Sequence, residues 1–263
     1  MATCLQIRPG VMLANLTDTG CVREGNEDYY GYWEPETDEE FRRKGRLAIV
    51  ADGMGGHNGG QEASHLAVDT VRQVYQQSDD DDRQHVLLNA MHAAHERIRQ
   101  FALEHGLQGM GTTCIAISLS NGYLHYVHVG DSRLYLIRDG VITRMTRDHS
   151  YVARLVETGM LSPDDAEKHP DRNVLMAALG ADGPLEIECP ETPLLLADGD
   201  LFLLCTDGLW NLVNDRDLLS VVSGSSPSAA CQRLVEMARE RGAPDNITLQ
   251  ILKVGNNRNH SHP

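Results

Sequence analysis

The chain has 263 residues, 41% of them hydrophobic, enough for one large domain or two small ones around a sizeable core. Its 23 basic residues face 38 acidic ones, a formal net charge of −15, so most of its surface repels nucleic acid and anionic membrane. The same balance suits metal binding, because carboxylates brought close together repel unless a cation sits among them.

Met1 to Val11 has no charged start followed by an apolar stretch of leader length, and no apolar run approaches the roughly 18 residues of a membrane span. Residues 11–16 read as a first strand and Asp18-Thr19-Gly20 as a turn. Cys21 to Asp28 is polar, with one cation, Arg23, amid three acids. It is either a solvated loop or an arginine held by carboxylates and aimed at an anion. Residues 34–46 are charged and read as an exposed loop before a strand at 47–51. That strand runs into Asp52-Gly53-Met54-Gly55-Gly56-His57. Leu66, Ala67, Val71 and Val74 have helical spacing, Ser78 to Asp82 reads as a solvated acidic turn, and a second helix spans about 83 to 105. His92 and His95 are spaced for a shared metal on that helix, but no carboxylate motif accompanies them, so they read as surface histidines.

A β-rich middle follows. Strands are predicted at 114–119 and 123–129 around the hairpin turn Asn121-Gly122, and at 134–137 and 141–145 around Asp139-Gly140. This meander argues against a doubly wound parallel sheet. Residues 147–183 are polar and read as mostly helical, a flap beside the site. Strands at 194–196 and 201–206, a short helix at 218–222, a helix capped by Ser226 with Pro227 at its first position, and a strand at 247–253 complete the order. Residues 256–263 read as a disordered tail. The six cysteines form no Cys-x-x-Cys pair and several lie in apolar runs, so they read as buried free thiols of a reducing compartment. A cytoplasmic location is the expectation.

Four predicted strands carry an aspartate at an edge: Asp52, Asp131, Asp207 and Asp245. One such aspartate is ordinarily a turn residue; four in one context point to a site for a hard, oxygen-liking cation such as magnesium or manganese. An arginine near a metal cluster suits phosphate chemistry. No lysine follows a glycine, so there is no nucleotide P-loop, and no cysteine has an arginine six residues on. Gly-x-Ser-x-Gly and His-Glu-x-x-His are absent too. Metal-assisted attack by water remains.

Six segments, 22–28 (VREGNED), 50–64 (VADGMGGHNGGQEAS), 109–113 (GMGTT), 128–140 (HVGDSRLYLIRDG), 203–210 (LLCTDGLW) and 244–248 (PDNIT), occur in an order that resembles the metal-dependent serine/threonine protein phosphatases of type 2C in their compact bacterial form. The resemblance implies an α+β fold, a four-layer α-β-β-α sandwich of two antiparallel sheets flanked by helix pairs, with residues 1–255 as one catalytic domain and 148–183 as its flap. It implies two manganese or magnesium ions in the core site and a third, weaker one. Asp52 would bridge two metals, the Gly53 carbonyl would serve one, Asp207 and Asp245 would hold the other, and Asp131 with Asp207 would contribute to the third. Arg23 would bind the substrate phosphate, and Glu27 and Asp28 would orient metal-bound waters or the groups that stand behind the ligands. Where many eukaryotic members carry a histidine two residues after the bridging aspartate, this chain has Met54. His57 is then the nearest candidate to protonate the leaving oxygen, or a structural histidine of the loop. The implied partners are phosphorylated proteins, among them a serine/threonine kinase and its substrates, met by a monomer that uses neither nucleic acid nor membrane. A catalytically silent binding protein of the same fold and a phosphatase for small phosphate esters are the alternatives.

Overall fold

Strands that bury both faces make the core. In the strand 201–205, Leu201, Leu203 and Cys205 face one apolar layer while Phe202 and Leu204 face another. In the strand 46–54, Leu47, Ile49 and Ala51 face a third layer, and Ala48 and Val50 return to the second. A period of two with both faces apolar stacks sheet on sheet and a helix layer on each outer face. The computed structural model describes residues 8–55, 59–166 and 168–255.

The strands are β1 (Val11–Asp18), β2 (Asp28–Trp33), β3 (Arg46–Met54), β4 (Gly111–Thr112), β5 (Cys114–Ser120), β6 (Tyr123–Val129), β7 (Arg133–Arg138), β8 (Val141–Arg144), β9 (Leu194–Leu195), β10 (Leu201–Cys205) and β11 (Ile247–Val254). The helices are α1 (Asp38–Lys44), α2 (Gly59–Gln77), α3 (Arg83–His105), α4 (Tyr151–Glu157), α5 (Pro163–Ala166), α6 (Asp207–Trp210), α7 (Asp215–Gly224) and α8 (Pro227–Glu240). One sheet runs β1-β11-β10-β7-β8 and the other β2-β3-β5-β6-β9, with β4 paired to the end of β3. Every pairing is antiparallel. The long α2–α3 pair covers the second sheet and α7–α8 cover the first, so the expected four-layer α-β-β-α sandwich is the observed one.

The hairpins follow from their turn residues. Asn121 and Gly122 take positive φ of 51° and 82°, as do Asp139 and Gly140 at 52° and 75°, which closes β5–β6 and β7–β8 with the twist of the strands. Asp82, at the end of the acidic run, accepts hydrogen bonds from the Gln84 and His85 amides and so starts α3.

Four expectations need correction. Residues 38–44 form the helix α1 rather than a plain exposed loop. Thr37 caps it, and its acidic first turn and basic last turn complement the helix dipole. Nor is the segment solvated throughout: Lys44 is buried against the Gln76 carbonyl, and Arg46 against Glu34 and the Arg8 and Pro9 carbonyls. The flap is not mostly helical, since only α4 and α5 interrupt irregular backbone. His95 is buried, its Nδ1 accepting from the Gly180 amide at 3.1 Å, while His92 is exposed, so the two share no site. Among the described cysteines, Cys114, Cys205 and Cys231 are buried thiols, Cys189 is half-buried, and Cys21 is exposed against expectation. No helix among the described residues is long and apolar enough to cross a membrane. The tail call for 256–263 lies outside the described residues.

Candidate metal centre

The edge aspartates collect at one end of the sandwich because loops from both sheets interlock there. Asp52 pairs in register with Asp28 across β2–β3. The Thr113 hydroxyl accepts from the Asp52 amide at 3.0 Å, and the Asp52 carbonyl accepts from the Thr113 amide at 2.9 Å and the Thr112 hydroxyl at 2.8 Å. Its backbone therefore cannot tilt. The Gly53 amide donates to the Glu27 carbonyl at 3.1 Å, and a Cβ at Gly53 would stand 2.1 Å from the Gly60 carbonyl oxygen. Only glycine allows the N-terminal turn of α2 to close onto the strand end.

The other sheet contributes Asp207, the first residue of α6, and Asp245, just before β11. A Cβ at Gly208 would meet the Asn246 carbonyl oxygen at 1.9 Å, so the two loops touch backbone to backbone. Asn246 ties them to the Arg23 segment. Its Oδ1 accepts from the Glu27 amide at 2.8 Å, and its Nδ2 donates to the Thr19 and Gly25 carbonyls, both at 2.9 Å. Asp131 follows β6, and its carbonyl accepts from the Trp210 indole at 3.0 Å. The Arg133 guanidinium lies 3.4 Å from the Trp210 ring centroid and pairs with Asp148 through two bonds of 3.0 and 2.7 Å.

These loops wall a cleft of about 490 Å³. Among the described residues six carboxylates line it, Glu24, Glu27, Asp52, Asp131, Asp207 and Asp245, against a single arginine, Arg23. Arg23 Nη2 donates to Asp245 Oδ2 at 2.8 Å. Burial, then repulsion from Asp28, Asp207, Asp131 and Asp245, pushes the Asp52 carboxyl well above the usual range. Burial with repulsion from Asp207 and Asp148 does the same to Asp131. Asp207 is pushed up to about 6 by burial and by Asp245. Carboxylates that hold protons this tightly lack positive charge, and a bound cation provides it. Among the described residues no three of these aspartates bring an oxygen within 4.8 Å of one another. The donors are spread around the cleft, which fits hard cations that keep several waters better than one closed cage.

Most of the residues picked from the sequence meet here: Arg23, Glu27, Asp52, Gly53, Asp131, Asp207 and Asp245 all border the cleft. Asp28 does not. It is buried behind Asp52, its Oδ2 accepting from the Thr206 hydroxyl at 2.9 Å, and burial above all pushes its pKa up to about 7. His57 lies outside the described residues. Asn246, Thr113 and Gly208 were not singled out, although Asn246 stands next to a chosen aspartate and Thr113 closes the 109–113 motif. From the flap, Asn173 and Leu175 reach the rim.

A family model described as protein phosphatase 2C matches residues 24–247. The serine/threonine protein phosphatase PstP of Mycobacterium tuberculosis is 36% identical over 241 residues, 90% of this chain and 44% of that protein, so the chain spans under half of that relative's length. The protein phosphatase PhpP of Streptococcus pneumoniae is 32% identical over 244 residues, covering 91% of this chain and 96% of PhpP. The solved catalytic domain of PstP in complex with two manganese ions superposes with a TM-score of 0.80 at 32% identity, over 94% of this chain and 99% of that one.

Proposed function

The chain belongs to the protein phosphatase 2C family, and from that premise we propose that it is a metal-dependent phosphatase that hydrolyses phosphoserine and phosphothreonine in proteins, reversing the work of a serine/threonine kinase. The observation that carries this reading is the cleft with six carboxylates and one arginine. Such a charge balance has no use for an anionic substrate until cations are present, and with them it becomes a phosphate site.

Asp52, the Gly53 carbonyl, Asp207 and Asp245 would hold two magnesium or manganese ions, and Asp131 with Asp207 a third. When bound, such ions lower the pKa of a water and neutralise charge developing on the phosphoryl group. The chain's own residues do the rest. Arg23 is anchored by Asp245 and has further N–H donors for phosphoryl oxygens. Glu27 sits at the cleft wall with its backbone fixed by Asn246 and Gly53, so its carboxylate can orient water. Asp28 acts from behind: it positions Asp52 across the β2–β3 pair and touches no substrate. His57 is assigned to the leaving oxygen as its proton donor.

Hydrolysis of a phosphothreonine peptide with manganese, with magnesium and with a chelator tests this, with Asp207→Asn as the control for contaminating phosphatases. Phosphate release that needs metal and drops at least a hundredfold in the folded variant is expected. Wild-type-like turnover in Asp207→Asn overturns the site assignment. Release only from small phosphate esters would replace the protein-substrate reading.

A further inference from the structure

A second group of metal-type donors lies behind the cleft, on the far side of Gly130. His128, near the end of β6, is fully buried, and His149, in the loop after β8, is buried at 6% exposure. Their rings lie 4.9 Å apart, centroid to centroid, inclined at 51°. Glu188 faces them from the strap that follows the flap. Its backbone exchanges two hydrogen bonds with His128, of 3.0 and 2.9 Å. One donor atom from each of the three residues lies within 4.8 Å of the other two. The Nε2 atoms of both histidines are buried without a hydrogen-bond partner. Buried ring nitrogens are normally paired, so two imidazoles that each keep an unmatched nitrogen, beside one carboxylate, form a cluster that the fold alone does not satisfy.

We propose that His128, His149 and Glu188 form a binding site for a transition-metal ion of the zinc type, separate from the carboxylate cleft. Two imidazoles and a carboxylate are the donors of borderline-soft divalent ions, whereas the all-oxygen cleft suits magnesium or manganese. Ligand atoms around tetrahedral zinc stand about 3.4 Å apart for bonds near 2.1 Å, so small side-chain movements close the site. The fourth position is open to water or to a carboxylate oxygen. The surrounding contacts prepare it. The Glu188 carboxylate accepts from the Arg147 amide at 2.9 Å and stands 3.2 Å from His128 Nδ1, so an ion between them would be held through Nδ1 with the His128 ring proton on Nε2. Burial holds His149 neutral, as a ligand must be. Its Nδ1 accepts from the Gly130 amide at a long 3.3 Å. Ligation through His149 Nε2 moves the ring proton to Nδ1, which then faces the Gly130 N–H and must turn from it, with no net proton released. The Glu188 side chain is 22% exposed and marks the way in. Occupancy would fasten β6, the start of the flap and the 184–192 strap to one point.

Cobalt titration of the full chain in saturating magnesium reads the site directly, since four-coordinate cobalt with nitrogen ligands absorbs visible light far more strongly than six-coordinate cobalt on oxygen. One equivalent of the strongly absorbing form, displaced by zinc, is expected. His149→Gln and Glu188→Gln should each weaken binding at least tenfold while the far-ultraviolet circular dichroism stays that of the parent. Asp207→Asn should keep the signal, because its carboxylate belongs to the other centre. Should His149→Gln fail to fold, Glu188→Gln on the part-exposed strap decides. The proposal is overturned if the parent shows only weak, six-coordinate absorption, if the folded variants bind cobalt as the parent does, or if Asp207→Asn abolishes the signal.

Discussion

At the scale of single residues, the proposed site separates groups that would meet substrate from groups that hold them. Arg23 is exposed, with its side chain anchored by one ion pair to Asp245. Its energetic worth to the fold is small, as for most exposed pairs. Arg23→Ala should therefore leave thermal stability within about 1 °C of the parent. It should raise KM for a phosphopeptide by about tenfold with a smaller change in kcat, and Arg23→Lys should restore the charge without the forked geometry and recover only part of that loss. An unchanged KM in steady-state assays would remove Arg23 from the site. Asp28 is the opposite case. Its carboxyl is pushed from the ordinary 3.8 up to about 7 by burial. The native state thus binds a proton that the unfolded chain has released between about pH 4 and pH 7. This group's contribution is most favourable below that window and is lost as the pH rises through it. Asp28→Asn keeps an oxygen to accept from Thr206 and removes the charge. In chelator, urea unfolding should show the variant more stable than the parent at pH 8, with the gap shrinking as the pH falls and nearly closed by about pH 4.

Elements carry these residues to the cleft, and here glycine contacts decide. A methyl at Gly53 would collide with the backbone of Gly60 and of Glu27, neither of which can move without shifting α2 or the Arg23 segment. Gly53→Ala should cost about 1–3 kcal/mol, as overpacking does, and lower metal affinity, since the Asp52–Gly53 turn must shift; denaturant midpoints and metal titration check both. That turn was readable beforehand, because an apolar strand ending in an aspartate and glycines has few other uses. The α3 helix was equally legible from its spacing, and its observed bounds match. The short α1 was not: six charged residues around one phenylalanine have no apolar period, and the helix is held by Thr37 and by its charge order. Nor did sequence disclose the depth of His95 or of Asp28. An imidazole or carboxylate looks the same in sequence whether it faces water or a backbone amide across the molecule. His128, His149 and Glu188 were beyond reach for the same reason, since they come from three segments with no shared motif.

The whole molecule places the proposed metal ligands on both sheets: Asp52 comes from the sheet of β3, and Asp207 and Asp245 from the segments flanking β10 and β11. A cation bound there would join the two halves of the sandwich at that end. Because the unfolded chain keeps no such arrangement, metal at a hundred times its Kd adds about 2.7 kcal/mol, or roughly 5–10 °C in a chain of this size. Removing it by chelation should therefore lower Tm by that amount in calorimetry, and Asp207→Asn should already sit at the lower value and respond little to chelator. Protons and metal compete for the same oxygens, and Asp207 holds its proton up to about 6. The metal-dependent gain in Tm should consequently be larger at pH 8 than at pH 5.5. A gain that is equal at both pH values, or that survives in Asp207→Asn, would mean that the ion stabilises the protein from somewhere other than this cleft.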